Sequence, residues 1–336
     1  MEFSSSRNIF NKRKDFTLVE NYKIYIEEIS NETGFIKSTL EKVERLLNIL
    51  EWINNNEKLS RLLALKGGTA INIAVFNFPR LSVDIDLDLT EKIEKEEMIE
   101  QRKNIHNWVI QYLNANDYKI NMKKSKNVYA LDSIVAEYVD IKGNIDNIKI
   151  EINYMNRVHI LETKKLEVST DVFKDKHLTI HCLNPIEIYA AKICALLDRT
   201  TARDLFDVYT LSKYDLFDKE EKILLRKCFM LEYIAVCGYK LENMKIDNIE
   251  KLKRQDIKTK LLPTLKDRNP KKSNIDEMKQ VVRDYLKDIL VIDDNTKLFY
   301  DKFQNGIFEP KLLFDDKEII ERIKEHPMIM WKLSNK

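Results

Sequence analysis

Only six glycines occur in these 336 residues, and two of them are adjacent, at 67 and 68. They sit in KGGTAINIAVFNFPRLSVDIDLD, residues 66–88, and no other stretch restricts the fold as strongly. Paired glycines carry no Cβ, so the backbone can turn sharply there and approach a ligand closely. Thr69 is placed to cap a helix over Ala70–Phe78, whose exposed N–H groups and dipole favour a phosphate. Pro79 cannot continue that helix. Lys66, Gly67, Gly68 and Thr69 are therefore candidates for cradling phosphates.

The stretch then alternates strictly from Leu81 to Leu89, which predicts a half-buried strand. Val83, Ile85, Leu87 and Leu89 take one face; Asp84, Asp86 and Asp88 take the other. Three carboxylates on one face repel each other unless positive charge sits among them. In a strand, Asp84 and Asp86 lie ~6.8 Å apart at Cα, within reach of a metal pair spaced ~4 Å. Mg²⁺ with a nucleoside triphosphate suits hard oxygen ligands. Taken singly, an Asp-x-Asp is also a solvated strand face and a Gly-Gly also a plain turn; the conjunction is what carries the reading.

Elsewhere the pattern is mainly helical. Met1–Asn21 reads as a polar arm, and Tyr22–Asn55 as helix interrupted at Asn31–Gly34. Leu62–Leu65 is a short buried strand running into Lys66. Ile93–Asn114 predicts an amphipathic helix with acids in its first turn. Strands are expected over Lys119–Lys124, Val128–Tyr138, Ile148–Tyr154 and Leu178–Leu183. In Ile148–Tyr154 the isoleucines share a face and leave Lys149, Glu151 and Asn153 on the other. Glu151 is either the solvent side of an edge strand or a third carboxylate beside Asp84 and Asp86.

Asn184-Pro185-Ile186-Glu187 is a helix start, with Asn as cap and Pro at the first helical position, opening Pro185–Leu197. Thr201 opens Ala202–Lys213. Helices are expected over Lys219–Val236, Ile249–Leu261, Asn274–Leu290, Thr296–Asn305 and Lys317–Glu325, with Leu262–Ser273 as a loop. Ser273 with Glu277, and Asp315 with Glu318, mark two of the helix starts. The closing HPMIMW, residues 326–331, is an apolar anchor.

Composition excludes several classes. A chain of 44% hydrophobic and 33% charged residues is globular rather than disordered. The formal charge of +2, from 57 basic and 55 acidic residues, does not suit a sequence-blind nucleic-acid coat. RNA contact would fall to local clusters such as Lys123, Lys124 and Lys126, which read equally as solvated surface. The four cysteines form no CxxC pair and the five histidines no ligand spacing, so reduced thiols are expected and zinc is not. With no apolar leader and no run of about 18 apolar residues, the cytoplasm is the expected compartment and no membrane is a partner.

The strand, Gly-Gly, helix and acidic strand resemble the signature of the DNA polymerase β-like nucleotidyltransferase superfamily. LKGGTAINIAVFNFPRLSVDIDLD is similar to the AbiEii/AbiGii toxins, nucleotidyltransferases of type IV toxin–antitoxin systems. So is IYAAKICALLDRTTARDLFDVYTL, residues 188–211, where a lysine precedes an R…RD..D pattern. One departure is that Gly68 stands where the superfamily often has Ser. The resemblance implies that Asp84, Asp86 and Glu151 hold two Mg²⁺. It implies that Lys192 contacts the triphosphate, that Arg199 and Arg203 match the arginines, and that Asp204 or Asp207 is needed for activity. Arg80 and Ser82 match an RxSxD string, making Ser82 a further nucleotide-site candidate. An Arg203–Asp207 pair joining two helices is the plain alternative for Asp207.

The expected fold is α+β: a nucleotidyltransferase-like mixed sheet with helices, then a helical C-terminal domain. The expected divisions are 1–60, a helical segment on the core; 61–183, the core; and 184–336, the far wall of the cleft. The resemblance implies nucleotide transfer from an NTP to RNA, tRNA by likeness to relatives, with growth arrest, abortive infection and a cognate antitoxin. Transfer to a small molecule or protein, a catalytically inactive NTP-binding module, and a DxD glycosyltransferase are the alternatives. The last lacks the βαβ series its donor site would need.

Overall fold

The computed structural model describes residues 20–174, 176–268 and 274–335. Nearly all of the expected N-terminal arm, together with Pro270, Lys271, Lys272 and the Ser273 helix start, lies outside the described residues.

The acidic alternation forms the strand it dictates, and that strand lies near the middle of a mixed sheet. The strands are β1 (Leu63–Lys66), β2 (Asp84–Leu89), β3 (Lys119–Ile120), β4 (Lys126–Val128), β5 (Leu131–Val139), β6 (Ile145–Asn153), β7 (Lys164–Ser169) and β8 (His177–Cys182). Their order is β3-β5-β6-β2-β1-β8-β7, with β4 also paired to β5. β2 runs antiparallel to β1 and parallel to β6. β1 runs parallel to β8 through Leu65 and Cys182.

Ile85, Leu87 and Leu89, with Ile148, Ile150 and Ile152 of β6, are buried on one face of this sheet. There α2 (Lys37–Asn55) packs against β8 and β6. It follows α1 (20–33), as the expected break at Gly34 allows. Trp52 of α2 stacks on Tyr112 of α4 (Lys95–Ala115), ring centroids 4.1 Å apart. On the other face stand the acids. They are roofed by α5 (Pro185–Asp198), α6 (Ala202–Tyr214) and α7 (Lys219–Leu231), the last continued by a π-helical turn over Glu232–Val236. Asn184 and Thr201 cap α5 and α6 with their side chains, as their sequences predict. Farther on come α8 (Ile275–Ile289), α9 (Asp294–Gln304), α10 (Lys317–Ile323) and α11 (Pro327–Ser334). One buried apolar cluster runs through all these layers, from Ile26 to Ile329.

Several elements differ from expectation. The helix behind the glycines, α3, begins at Gly67 and becomes π-helical over Ala70–Val75. Thr69 lies inside it and caps nothing. It ends before Phe78 because Asn77 and Phe78 adopt left-handed φ of 48° and 60°. Asn274 caps α8 and Asp316 caps α10. Ile249–Leu261 is no single helix: 3₁₀ turns over Ile246–Lys251 give way to a short helical turn and a π turn. The edge strand β7 was not expected, although Leu166 and Val168 alternate with polar residues there.

Candidate active site

Sheet register brings the acids together. Asp86 stands directly opposite Glu151 in β6 on one side and Lys66 in β1 on the other. Asp84 stands opposite Lys149. Residues opposed in neighbouring strands project to the same face, with strands ~4.8 Å apart. Asp84, Asp86, Glu151, Lys66 and Lys149 therefore form one charged patch. The glycine bend lies against it. Gly67 has φ +70°, and a Cβ placed there would come within 2.9 Å of Asp86 Oδ2. Glycine is required on both counts: the left-handed backbone and the close approach of the carboxylate.

The charges in this patch are not settled among themselves. Burial pushes the Asp86 carboxyl up, and the neighbouring Asp84 and Glu151 push it further, against the pull of Lys66 and Lys192. Lys149 Nζ lies 2.9 Å from Glu151 Oε2, and Lys66 Nζ lies 2.5 Å from Asp88 Oδ1. Burial alone would lower the Lys66 ammonium, but Asp88, Asp86 and Glu232 outweigh it and hold it above its ordinary value. Among the described residues no three Asp, Glu, His or Cys side chains close into a metal cage. The chemistry of the donors nevertheless fits a divalent cation. They are hard oxygens, crowded enough to repel, in an open row that leaves coordination positions for a ligand's phosphates.

Beside this open row lies a closed network. Arg80 Nε and Nη2 donate to the two oxygens of Asp207 at 2.8 and 2.7 Å, in the bidentate geometry of the strongest charge pairs. Asp207 is 0% exposed. Asn72 Nδ2 also donates to it at 3.0 Å, and Lys192 Nζ lies 3.1 Å away. Lys192 donates to Asp204 at 2.9 Å, and Arg199 donates to both Asp204 oxygens at 2.8 and 2.9 Å. Burial would raise both carboxyls. For Asp204, Lys192, Arg199 and Thr201 outweigh it; for Asp207, Arg80, Lys192 and Asn72 do, so both sit below the usual carboxylate range. The network pins the Lys192 ammonium where its charge reaches Asp86.

The candidates thus fall into two groups. Lys66, Asp84, Asp86 and Glu151 stand on one face of the sheet with Gly67 against them, and Lys192 reaches toward them from α5. Thr69 and Ser82 point inward instead: Thr69 Oγ1 donates to the Asp84 carbonyl and lies 3.0 Å from Ser82 Oγ, which ties the helix to the acidic strand. Gly68 faces the closed network, since a Cβ there would meet Arg80 Nη2 at 2.9 Å. Asp204 and Asp207 lie inside that network. Arg203 is half-buried and has no ion pair among the described residues; Asp207 takes Arg80 in place of the Arg203 partner the plain alternative expected. Sequence reasoning passed over Asn72 and gave Arg80 no role. Asn72 had a signal: it is the lone polar residue in the apolar run AINIAV.

Lys66, Gly67, Lys192 and Arg199 also border a cavity of about 310 Å³ beneath α5, lined as well by Asp88 and Glu232. No helix among the described residues is long and apolar enough to cross a membrane.

No curated protein sequence matches the chain. The fold is similar to that of the MenT4 nucleotidyltransferase toxin of Mycobacterium tuberculosis H37Rv. The TM-score is 0.61 at 12% identity, over 92% of this chain and 98% of the other. The sequence profile of the nucleotidyl transferase AbiEii toxins, of type IV toxin–antitoxin systems, matches residues 49–293 and so encloses every acid, glycine and lysine of the cleft. The chain belongs to that family of nucleotidyltransferase toxins.

Proposed function

We propose that this protein transfers a nucleotide from a Mg²⁺-bound nucleoside triphosphate to RNA, with tRNA as the acceptor, and thereby arrests growth. The observation that carries the reading is the register of Asp86 with Glu151, one step from Asp84, with the Gly67 bend against Asp86. Asp84, Asp86 and Glu151 would hold the metal. Two Mg²⁺ ions would stabilise charge on the attacking and leaving oxygens when bound. The chain's own residues do the rest. Gly67 lets the triphosphate approach the backbone at the start of α3, and Lys66 and Lys192 offset its charge. The acceptor hydroxyl oxygen forms a bond to the α-phosphorus as the bond to the β-phosphate bridge breaks, and pyrophosphate leaves. The hydroxyl proton passes to the Glu151 carboxylate.

The family description supports an antitoxin as biological partner. We place the activity in the cytoplasm, where NTPs and tRNA meet, and its benefit in phage defence by abortive infection. The test is incubation with each labelled NTP, Mg²⁺ and total RNA. Label should enter RNA, and a chelator or Asp84→Ala should abolish it. Label entering only a small molecule or a protein would overturn the acceptor. Growth arrest by Asp84→Ala would overturn the enzymatic basis of toxicity.

A further inference from the structure

The cavity beneath α5 has an unusual lining. Lys66, Lys192 and Arg199 bring cationic groups to it, Ile160, Ile188 and Val236 give it apolar walls, and Asp88, Asn156, Glu187 and Glu232 bring hydrogen-bond acceptors. Some of those acceptors are already committed. Glu187 accepts the backbone N–H groups of Ile160 and Leu161 at 3.1 and 3.0 Å, and Asp88 is ion-paired to Lys66. Others are not. Asn156 Oδ1 and His326 Nδ1 are buried without a hydrogen-bond partner, and both residues line this cavity; the imidazole nitrogen accepts when the ring proton sits on Nε2. His326 is only 3% exposed. The Glu232 carboxylate has no ion pair among the described residues, and the one hydrogen bond it accepts there is a weak one from the Cys237 thiol at 3.8 Å.

Buried polar atoms without partners are rare in native proteins and mark a missing ligand or water. Here three residues with spare accepting capacity surround one slot with apolar walls. A flat group with N–H donors on one edge would satisfy them, and the cations of the lining, Lys66, Lys192 and Arg199, would take a triphosphate tail. We infer that this cavity takes the base of the incoming nucleotide and selects bases with an exocyclic amino group over uracil, with Glu232 as the discriminating acceptor. The inference rests on the nucleotidyl-transfer reading above and deepens it. Cytosine, adenine and guanine each offer an amino donor, whereas the one free ring N–H of uracil, at N3, lies between two carbonyl oxygens that would face the same acceptors. A site built to hydrogen-bond a group rejects the analogue lacking it, because its own buried polar atoms are left unpaired. Lys66, beside Asp88, keeps the acidic end from repelling the nucleotide outright.

Direct binding of the four NTPs to the full chain, by calorimetry with Mg²⁺ at pH 8, above the value of about 7 to which burial raises the Glu232 carboxyl, tests this apart from transfer. At least one amino-bearing nucleotide should bind about tenfold or more tighter than UTP, the worth of one charge-assisted hydrogen bond. Glu232→Gln, which offers an amide donor in the same volume, should bring that ratio close to one. Asn156→Ala, at a half-buried position, should weaken the preferred nucleotide severalfold more than UTP. Equal binding of all four nucleotides, an unchanged ratio in Glu232→Gln, or no NTP binding at all overturns the inference. A base preference that tracks Glu232, with no label reaching RNA, upholds the pocket and removes the acceptor reading instead.

Discussion

The two adjacent glycines face two different kinds of electrostatics. Gly67 abuts Asp86, in a row of acids that repel each other and hold one carboxyl above its ordinary pKa. Gly68 abuts Arg80 and Asp207, in a network whose ions are paired and whose carboxyls are held low. One region is unfinished and the other complete. Unfinished charge in a cleft is stabilised by a ligand, whereas complete charge in the interior holds elements in place. Lys192 belongs to both: the closed side positions it and the open side feels it.

The contrast breaks most visibly at Asp86. Asp86→Asn should cost roughly a thousandfold or more in nucleotide transfer, since a missing metal ligand is worth several kcal/mol of transition-state stabilisation. Thermal stability should stay level or rise, because the substitution removes a half-buried like charge. Radiolabel transfer and a melting curve on the same preparation check it; parallel loss of both would mean that the acid row is structural. Asp207→Ala should do the reverse. It strands Arg80 as a buried unpaired charge, at an expected cost of about 3–5 kcal/mol in urea unfolding. A loss below about 1 kcal/mol would show that the network is not closed.

This division explains what could be read in the sequence. The acidic strand was legible because period-two alternation is local, and so were the caps at Asn184 and Thr201. The acids of the candidate site stood out because Asp84, Asp86 and Glu151 each sit between apolar residues, and the sheet register sets them side by side. The pairing of Arg80 with Asp207 was not, because it spans 127 residues and depends on where α6 lands. Thr69 was misjudged as a cap for a related reason: its hydroxyl has a better acceptor in the Asp84 carbonyl, supplied by a strand that pattern alone does not bring near. Glu232 was invisible, since a glutamate near the end of a helix has no distinguishing neighbours in the chain.

Gly67→Ala sharpens the comparison at a smaller scale. A left-handed backbone costs a residue with a Cβ roughly 1–2 kcal/mol, and the added methyl must displace Asp86. Both stability and transfer should fall, transfer further. Equal loss in the two would mean that Asp86 simply gives way.

The smallest effect is a slope. Burial and the nearby Glu187 push the Glu232 carboxyl from its ordinary 4.5 up to about 7, against the pull of Lys66. Between those values the unfolded chain has released this proton and the folded chain still holds it, so stability falls as pH rises from 4.5 to 7. Asp204 and Asp207 act in the opposite sense and in another window. Held below their ordinary 3.8, they contribute stability that is present above that pH and lost as pH drops through their lower folded values. Glu232 is faced by Glu187, Lys66, Asp88 and the Cys237 thiol, and His159 and His326 also line its cavity, so the whole profile is a sum. The difference between wild type and Glu232→Gln isolates one contribution to it. In urea titrations across pH 3 to 8, the variant should lose part of the decline above 4.5 and keep the acid limb unchanged. Parallel curves throughout would place the Glu232 carboxyl in ordinary solvent and make the acceptor-rich end of the cavity as settled as the network beside it.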